Sequence, residues 1–161
     1  MIHIRRAGEL DTGAMAALLN ELINIGDTTA FTNQVTRETL TRWLAFHPED
    51  SAWNVAEDDS GNLLGFQSIQ PRNNLPPESC DIGTFVKPQS TGLGIGSKLF
   101  EASRKAAAQL GYHWINATIR TDNMAGLAYY QSRGFEDYAH HTAERLDNGM
   151  IVDKVSKRFK L

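Results

Sequence analysis

The sequence predicts a mixed α/β fold occupying residues 1–161 as one domain, a central sheet with helices on both faces. Two observations carry this expectation. Strand-like and helix-like segments alternate in the order β-α-α-β-β-β-α-β-α-β-β, which suits one mixed sheet. A glycine-rich stretch, "STGLGIGSK", joins an apolar strand to an alanine-rich amphipathic run, the usual junction of an α/β layer. No internal repeat, low-complexity tract or linker interrupts the order.

Each element has a local reason. Ile2 and Ile4 alternate in a short first strand. Met15, Leu18, Leu19, Leu22 and Ile23 recur at helical spacing behind Asp11 or Thr12 as N-cap. Thr36 can cap a second helix with Leu40, Trp43, Leu44 and His47 on one face, ending by His47 because Pro48 disfavours helix before it. "SAWNVAE" and "LLGFQSI" read as strands joined by the turn-forming "DDSGN". A proline-rich loop carrying Arg72 leads to the strand "CDIGTFV". A helix from about Gly96 to Leu110, closed by Gly111, precedes the strand "WINATIR". "NMAGLAYYQSR" is a short helix stopped by Gly134, and Phe135 to His141 and Ile151 to Val155 form a terminal strand pair.

Composition narrows the class. The chain is 41% hydrophobic and 22% charged, with a formal net charge of −3. That balance gives no broad attraction to nucleic acid or anionic membrane. The one cysteine, Cys80, excludes an internal disulfide and suits a reducing compartment. No apolar run is long enough to span a bilayer, and "MIHIRRAGEL" lacks the apolar core of a signal peptide, so a cytoplasmic protein is expected.

The glycine loop points to an anion. It is not a Walker A loop, since Thr91 stands where the first glycine is needed and Lys98 does not directly follow Gly96. Its G-x-G-x-G spacing also departs from the dinucleotide fingerprint. What remains is a run of backbone amides at a helix N-terminus, a natural site for a pyrophosphate. Glycines at 92, 94 and 96 would let such a ligand approach the backbone.

The wider stretch "VKPQSTGLGIGSKLFEASRKAAAQLGY" resembles the acetyl-CoA signature Q/R-x-x-G-x-G/A of the GNAT superfamily of N-acetyltransferases. Thr91 falls at the Q/R position with Gly94 and Gly96 as the paired glycines; a register shifted by two uses Gln89, Gly92 and Gly94. "DNMAGLAYYQSRGF" resembles a second segment of that superfamily through Asn123, Tyr130 and Gly134-Phe135. "LLNELINIGDTTAFTNQV" and "NGMIVDKVSKRFKL" are similar to the phosphinothricin and amino-acid N-acetyltransferase group.

The resemblance implies a mostly antiparallel sheet splayed at the acetyl-CoA site, and direct transfer of acetyl to an amine without a metal. It implies acetyl-CoA held by Phe85, Val86, Thr91, Gly92, Leu93, Gly94, Ile95, Gly96, Ser97, Asn123 and Tyr130. Tyr130 takes the place of the general acid for the thiolate, and its neighbour Tyr129 is expected in the core. Asp81 falls where these enzymes place a base, with Glu78 in reserve and Glu21 further off. Phe31 and Arg72 are the candidate acceptor-binding residues. The implied acceptor is a small amine such as an amino acid; a protein N-terminus or an aminoglycoside is the second reading. A CoA-binding module without catalysis is a third. The group's usual state is a homodimer. His140 and His141 alternate across a strand and are not expected to share a metal.

Overall fold

The structure is a computed structural model that describes residues 1–161 except 27, 28, 30, 91 and 92. Seven strands form one sheet in the order β1-β2-β3-β4-β5-β7-β6. They are β1 (His3–Arg6), β2 (Ala52–Glu57), β3 (Leu63–Gln70), β4 (Ser79–Val86), β5 (Trp114–Arg120), β6 (Glu136–Arg145) and β7 (Ile151–Lys160). Every neighbouring pair is antiparallel except β4–β5. The helices are α1 (Thr12–Ile25), α2 (Arg37–Ala45), α3 (Ile95–Gln109) and α4 (Met124–Ser132). The mixed sheet with helices on both faces is therefore as the sequence predicts.

Alternation along the strands sorts the helices to the two faces. Trp53, Val55 and Phe66 pack with Met15, Leu19 and Leu40 under α1 and α2. Ala56 packs with Ile95 and Leu99, and Ile82, Ile115 and Ala117 pack with Phe100, Ala106 and Tyr130, under α3 and α4.

Several boundaries differ from the sequence reading for identifiable reasons. Asp11 does not cap α1 with its side chain. Its carboxylate is occupied by the Gly8 amide at 2.7 Å and by the Arg5 guanidinium, which holds it below the ordinary carboxylate value. Helix α2 stops at Ala45, and His47 lies outside it with a left-handed φ of 47°. The last two strands are ten residues each, longer than the apolar alternation alone suggests. The β7 extension is held by side chains from other elements: Lys157 donates to Asp137, and the Phe159 ring meets Phe100 at 5.2 Å.

Strand β4 is where the sheet opens. It pairs with β3 from Asp81 to Val86, but with β5 only at Ser79, Cys80 and Asp81. Beyond Asp81 the two strands part, so the expected splay is present. Lys87 N–H donates to the Leu64 carbonyl at 2.8 Å. By the two-residue alternation of an antiparallel ladder, the amides of Phe85 and Gly83 also face β3, and those of Ile82, Thr84 and Val86 face the open side.

Candidate active site

The parting of β4 from β5 opens a cleft of about 1110 Å³. Its walls come from the α1–α2 connection, α2, β4, the start of α3, the end of β5 and α4. Of the sequence-predicted residues, Phe31, Arg72, Asp81, Phe85, Val86, Gly94, Ile95, Gly96, Ser97, Asn123 and Tyr130 line it. Leu93 does not: its side chain is 60% exposed, outside the cleft. Thr91 and Gly92 lie outside the described residues. Glu78 and Glu21, the alternative bases, are not on the cleft wall.

At one end, α3 begins with Gly94 as N-cap at φ +78°, a left-handed conformation that glycine adopts without strain. The first amides of the helix carry its partial positive charge, an arrangement suited to an anion. Gly96 has a different reason for lacking a side chain. A Cβ there would lie 2.7 Å from Cε1 of Tyr129, so the glycine makes room for an aromatic ring. Arg133, half-buried at the end of α4, donates to Ser97 Oγ and adds a cation that sequence reasoning missed. Asn123 caps α4 by accepting from the Gly126 amide at 3.0 Å.

Both tyrosines pack against the core cluster and line the cleft, and Tyr130 is the more buried of the two. Tyr129 is half-buried, its hydroxyl donating to the Gly96 carbonyl at 2.6 Å. Tyr130 is 6% exposed, with its ring 5.1 Å from Phe135. Its hydroxyl still reaches the cleft wall, 2.7 Å from Thr84 Oγ1. Successive helical residues point about 100° apart, so the two rings diverge, Tyr129 toward the start of α3 and Gln67 on β3, Tyr130 toward Thr84 on β4. Burial raises the Tyr130 phenol well above its ordinary value, with the Thr84 contact partly opposing the rise.

At the other end stands Asp81, half-buried on the α1–α2 face of β4. Its Oδ1 accepts from Asn116 Nδ2 at 2.8 Å, and its Oδ2 accepts from Arg72 Nε at 3.1 Å. Burial raises its pKa, against the lowering effects of the Asn116 hydrogen bond and the Arg72 charge. Asn116 is placed by the β4–β5 register, directly opposite Asp81. Phe31 meets Trp43 at 5.3 Å and Phe85 at 6.3 Å, giving this end an aromatic wall. Trp43 of α2 and Trp53 of β2, neither of them singled out for the site from the sequence, also line the cleft. Arg120 and Lys154, both unforeseen, complete the wall; Lys154 Nζ lies 3.3 Å from Glu144.

The arrangement thus offers a carboxylate on one face of the parted strand, a phenol on the other, open-side amides between them, and a helix N-terminus. Among the described residues no group of three or more His, Cys, Asp or Glu is placed to hold a metal ion. No helix among them is long and apolar enough to cross a membrane. Cys80, next to Asp81, is fully buried and its thiol is pushed up to about 12, chiefly by burial. We expect its alkylation in the native protein to be at least about 100-fold slower than in denaturant; equal rates would place the thiol in solvent.

Comparison with known proteins agrees with this geometry. The chain is 30% identical to the phosphinothricin N-acetyltransferase of Streptomyces coelicolor, over 83% of this chain and 81% of the relative. It is 27% identical to the L-methionine sulfoximine/L-methionine sulfone acetyltransferase of Pseudomonas aeruginosa, over 83% of this chain and 79% of that one. Among solved structures, the ribosomal-protein-alanine N-acetyltransferase from Brucella melitensis superposes with a TM-score of 0.89 at 25% identity, covering 99% of both chains. The acetyltransferase (GNAT) family matches residues 13–135, three quarters of the chain, and it is to this family that the protein belongs.

Proposed function

We propose that this N-acetyltransferase moves the acetyl group of acetyl-CoA directly onto the primary amine of a small, amino-acid-like acceptor, with residues 1–161 acting as one catalytic domain. The observation that carries the reading is the parting of β4 from β5 after Asp81, with Asp81 and Tyr130 on opposite faces of the freed strand. The similarity to acetyltransferases of phosphinothricin and methionine sulfone supports the acceptor class.

The pyrophosphate of acetyl-CoA fits the amides that open α3, at Gly94, Ile95, Gly96 and Ser97, with Arg133 beside them. Thr91, Gly92 and Asn123 remain part of the proposed contact set. The pantetheine arm then follows the open edge of β4 at Phe85 and Val86. The acceptor enters from the α1–α2 face, past Phe31 and Arg72.

In the reaction, Asp81 takes a proton from the acceptor's ammonium group, directly or through one water. The free amine attacks the thioester carbonyl carbon. Negative charge then grows on the carbonyl oxygen, where the Val86 N–H, turned to the open side, is a preset donor. The C–S bond breaks, the amine loses its second proton to solvent, and the departing sulfur takes the Tyr130 proton. Water restores the phenol. Burial makes Tyr130 a weaker acid than free tyrosine, so its contribution falls toward the low end for general acids. We expect Tyr130→Phe to lower kcat by about ten-fold, with little change in the KM for acetyl-CoA. A loss confined to KM would make Tyr130 a binding residue.

The deciding assay follows thiol release from acetyl-CoA with amino acids, phosphinothricin, methionine sulfone, polyamines, aminoglycosides and N-terminal peptides. Turnover of the amino-acid analogues alone supports the proposal. Turnover of peptides alone would favour protein N-termini, the reading that the structural likeness to a ribosomal-protein-alanine N-acetyltransferase supports. The proposal extends to a cytoplasmic homodimer, consistent with an unpaired cysteine and with the resemblance to the phosphinothricin group. Light scattering of the purified protein tests the dimer.

A further inference from the structure

A partly buried chain of hydrogen bonds joins the two tyrosines. Tyr129 Oη donates to the Gly96 carbonyl at 2.6 Å. Gln67 Nε2 lies 3.1 Å from Tyr129 Oη and 2.8 Å from Thr84 Oγ1. Thr84 Oγ1 lies 2.7 Å from Tyr130 Oη. Gln67 is fully buried on β3 and makes no contact with the cleft itself.

The chemistry of the groups fixes the direction of every bond but the last. A backbone carbonyl can only accept, so the one Tyr129 proton is spent on Gly96. Tyr129 oxygen must then accept from Gln67, which identifies the Gln67 atom facing it as the amide nitrogen. That nitrogen's second proton goes to Thr84 Oγ1. Thr84, already accepting, has one proton of its own, and Tyr130 is its only other partner among the described residues. Thr84 is partly buried and itself lines the cleft, so either hydroxyl can be the donor in this last bond. With Thr84 donating, the Tyr130 proton is left over, on a hydroxyl at the cleft wall. Consistent with this bias, Gln67 Oε1 is buried with no partner among the described residues. The fold bears that cost and keeps two donors on the two hydroxyls.

We propose that Gln67 and Thr84 are positioning residues that turn the Tyr130 hydroxyl so that its proton faces the departing sulfur. This role rests on Tyr130 being the general acid. As the C–S bond breaks and sulfur keeps the electron pair, the Tyr130 proton passes to sulfur. The phenolate left behind accepts the Thr84 hydrogen bond, which strengthens as the charge forms. Gln67, donating to Thr84, polarises that hydroxyl further. Tyr129 anchors the chain and is not itself a proton donor to substrate.

The test is a double-mutant cycle between Thr84→Val and Tyr130→Phe, using acetyl-CoA and the fastest acceptor from the panel. Valine keeps the shape of threonine and removes only the hydroxyl. We expect Thr84→Val to lower kcat by about five- to ten-fold with the acetyl-CoA KM within two-fold of wild type. Thr84→Ser should restore most of the loss, and the double mutant should be no slower than Tyr130→Phe alone. If the two losses multiply, or if Thr84→Val is as fast as wild type while Tyr130→Phe is slow, the positioning role is overturned and the general acid survives. If Tyr130→Phe is as fast as wild type, both fall. Should Thr84→Val fail to fold, Gln67→Met supplies the same cycle, with a smaller expected loss in kcat.

Discussion

Arg120→Met is expected to lower the stability of the protein by about 2–4 kcal/mol, one of the larger effects a single substitution here can have. Arg120 ends β5 and is 5% exposed, yet each of its guanidinium nitrogens has a partner. Nε and Nη2 hold the Asp122 carboxylate at 2.9 and 2.7 Å, and Nη1 donates to the carbonyls of Gly26 and Thr29 at 3.0 and 3.1 Å. The Asp122 side chain is half exposed, so losing the ion pair alone costs little, because water takes over the carboxylate. The two carbonyls belong to the connection after α1 and lose a charged donor. Methionine fills much of the space, so the measured loss isolates hydrogen bonding from cavity formation. Lysine should not rescue, since one ammonium cannot reproduce the planar fork that meets a carboxylate and two carbonyls together. Because the same connection carries Phe31 to the cleft, the acceptor KM should rise while the acetyl-CoA KM changes little. Urea unfolding at unchanged m-value measures the first effect and steady-state kinetics the second. A loss below about 0.5 kcal/mol would mean that packing alone holds the connection.

How far the sequence reaches can be judged residue by residue. Helix α3 was legible because its own periodicity and flanking glycines specify it. The order of elements was legible for the same local reasons. The second half of β7 was not: "SKRFKL" breaks the apolar alternation with three cations. In the structure Lys157 is buried against Asp137, and the Arg158 guanidinium sits 5.2 Å from the centre of the Tyr138 ring. Those partners lie on β6, and no local pattern announces them. The site divides the same way. Asp81, Tyr130, Gly94, Ile95, Gly96 and Ser97, which line the cleft, were singled out from spacing and resemblance. Asn116, Gln67 and Arg120 were not, because each acquires its place only through pairing or packing with distant segments. A buried glutamine inside "LLGFQSIQ" was the one available signal for Gln67, since an amide in an apolar strand needs partners. Gly96 also makes room for the Tyr129 ring, a contact that no local pattern announces.

Asp81→Asn should lower kcat/KM for the acceptor by about 100-fold near neutral pH and make the protein more stable there. The two effects share a cause. Burial raises the Asp81 pKa above its ordinary 3.8, which brings a carboxylate closer to the working range of a base. A raised carboxylate binds its proton more tightly in the folded state than in the unfolded one. Its contribution to stability is thus fully present below the unfolded value of 3.8. It is lost as pH rises from there through the raised folded value, and above both the ionised group is a standing penalty. Asparagine carries no such penalty, and its amide oxygen can still accept from Asn116. Wild-type stability should therefore fall across that window by more than that of the variant. Activity should move oppositely, rising with pH through the folded pKa of Asp81 in the wild type and losing that acid limb in the variant. Arg72 provides the control. Its charge and its hydrogen bond both lower the Asp81 pKa, so Arg72→Met should shift the acid limb to higher pH without abolishing it. A limb that stays fixed in Arg72→Met and survives in Asp81→Asn would assign the titration to another group and remove Asp81 from the mechanism.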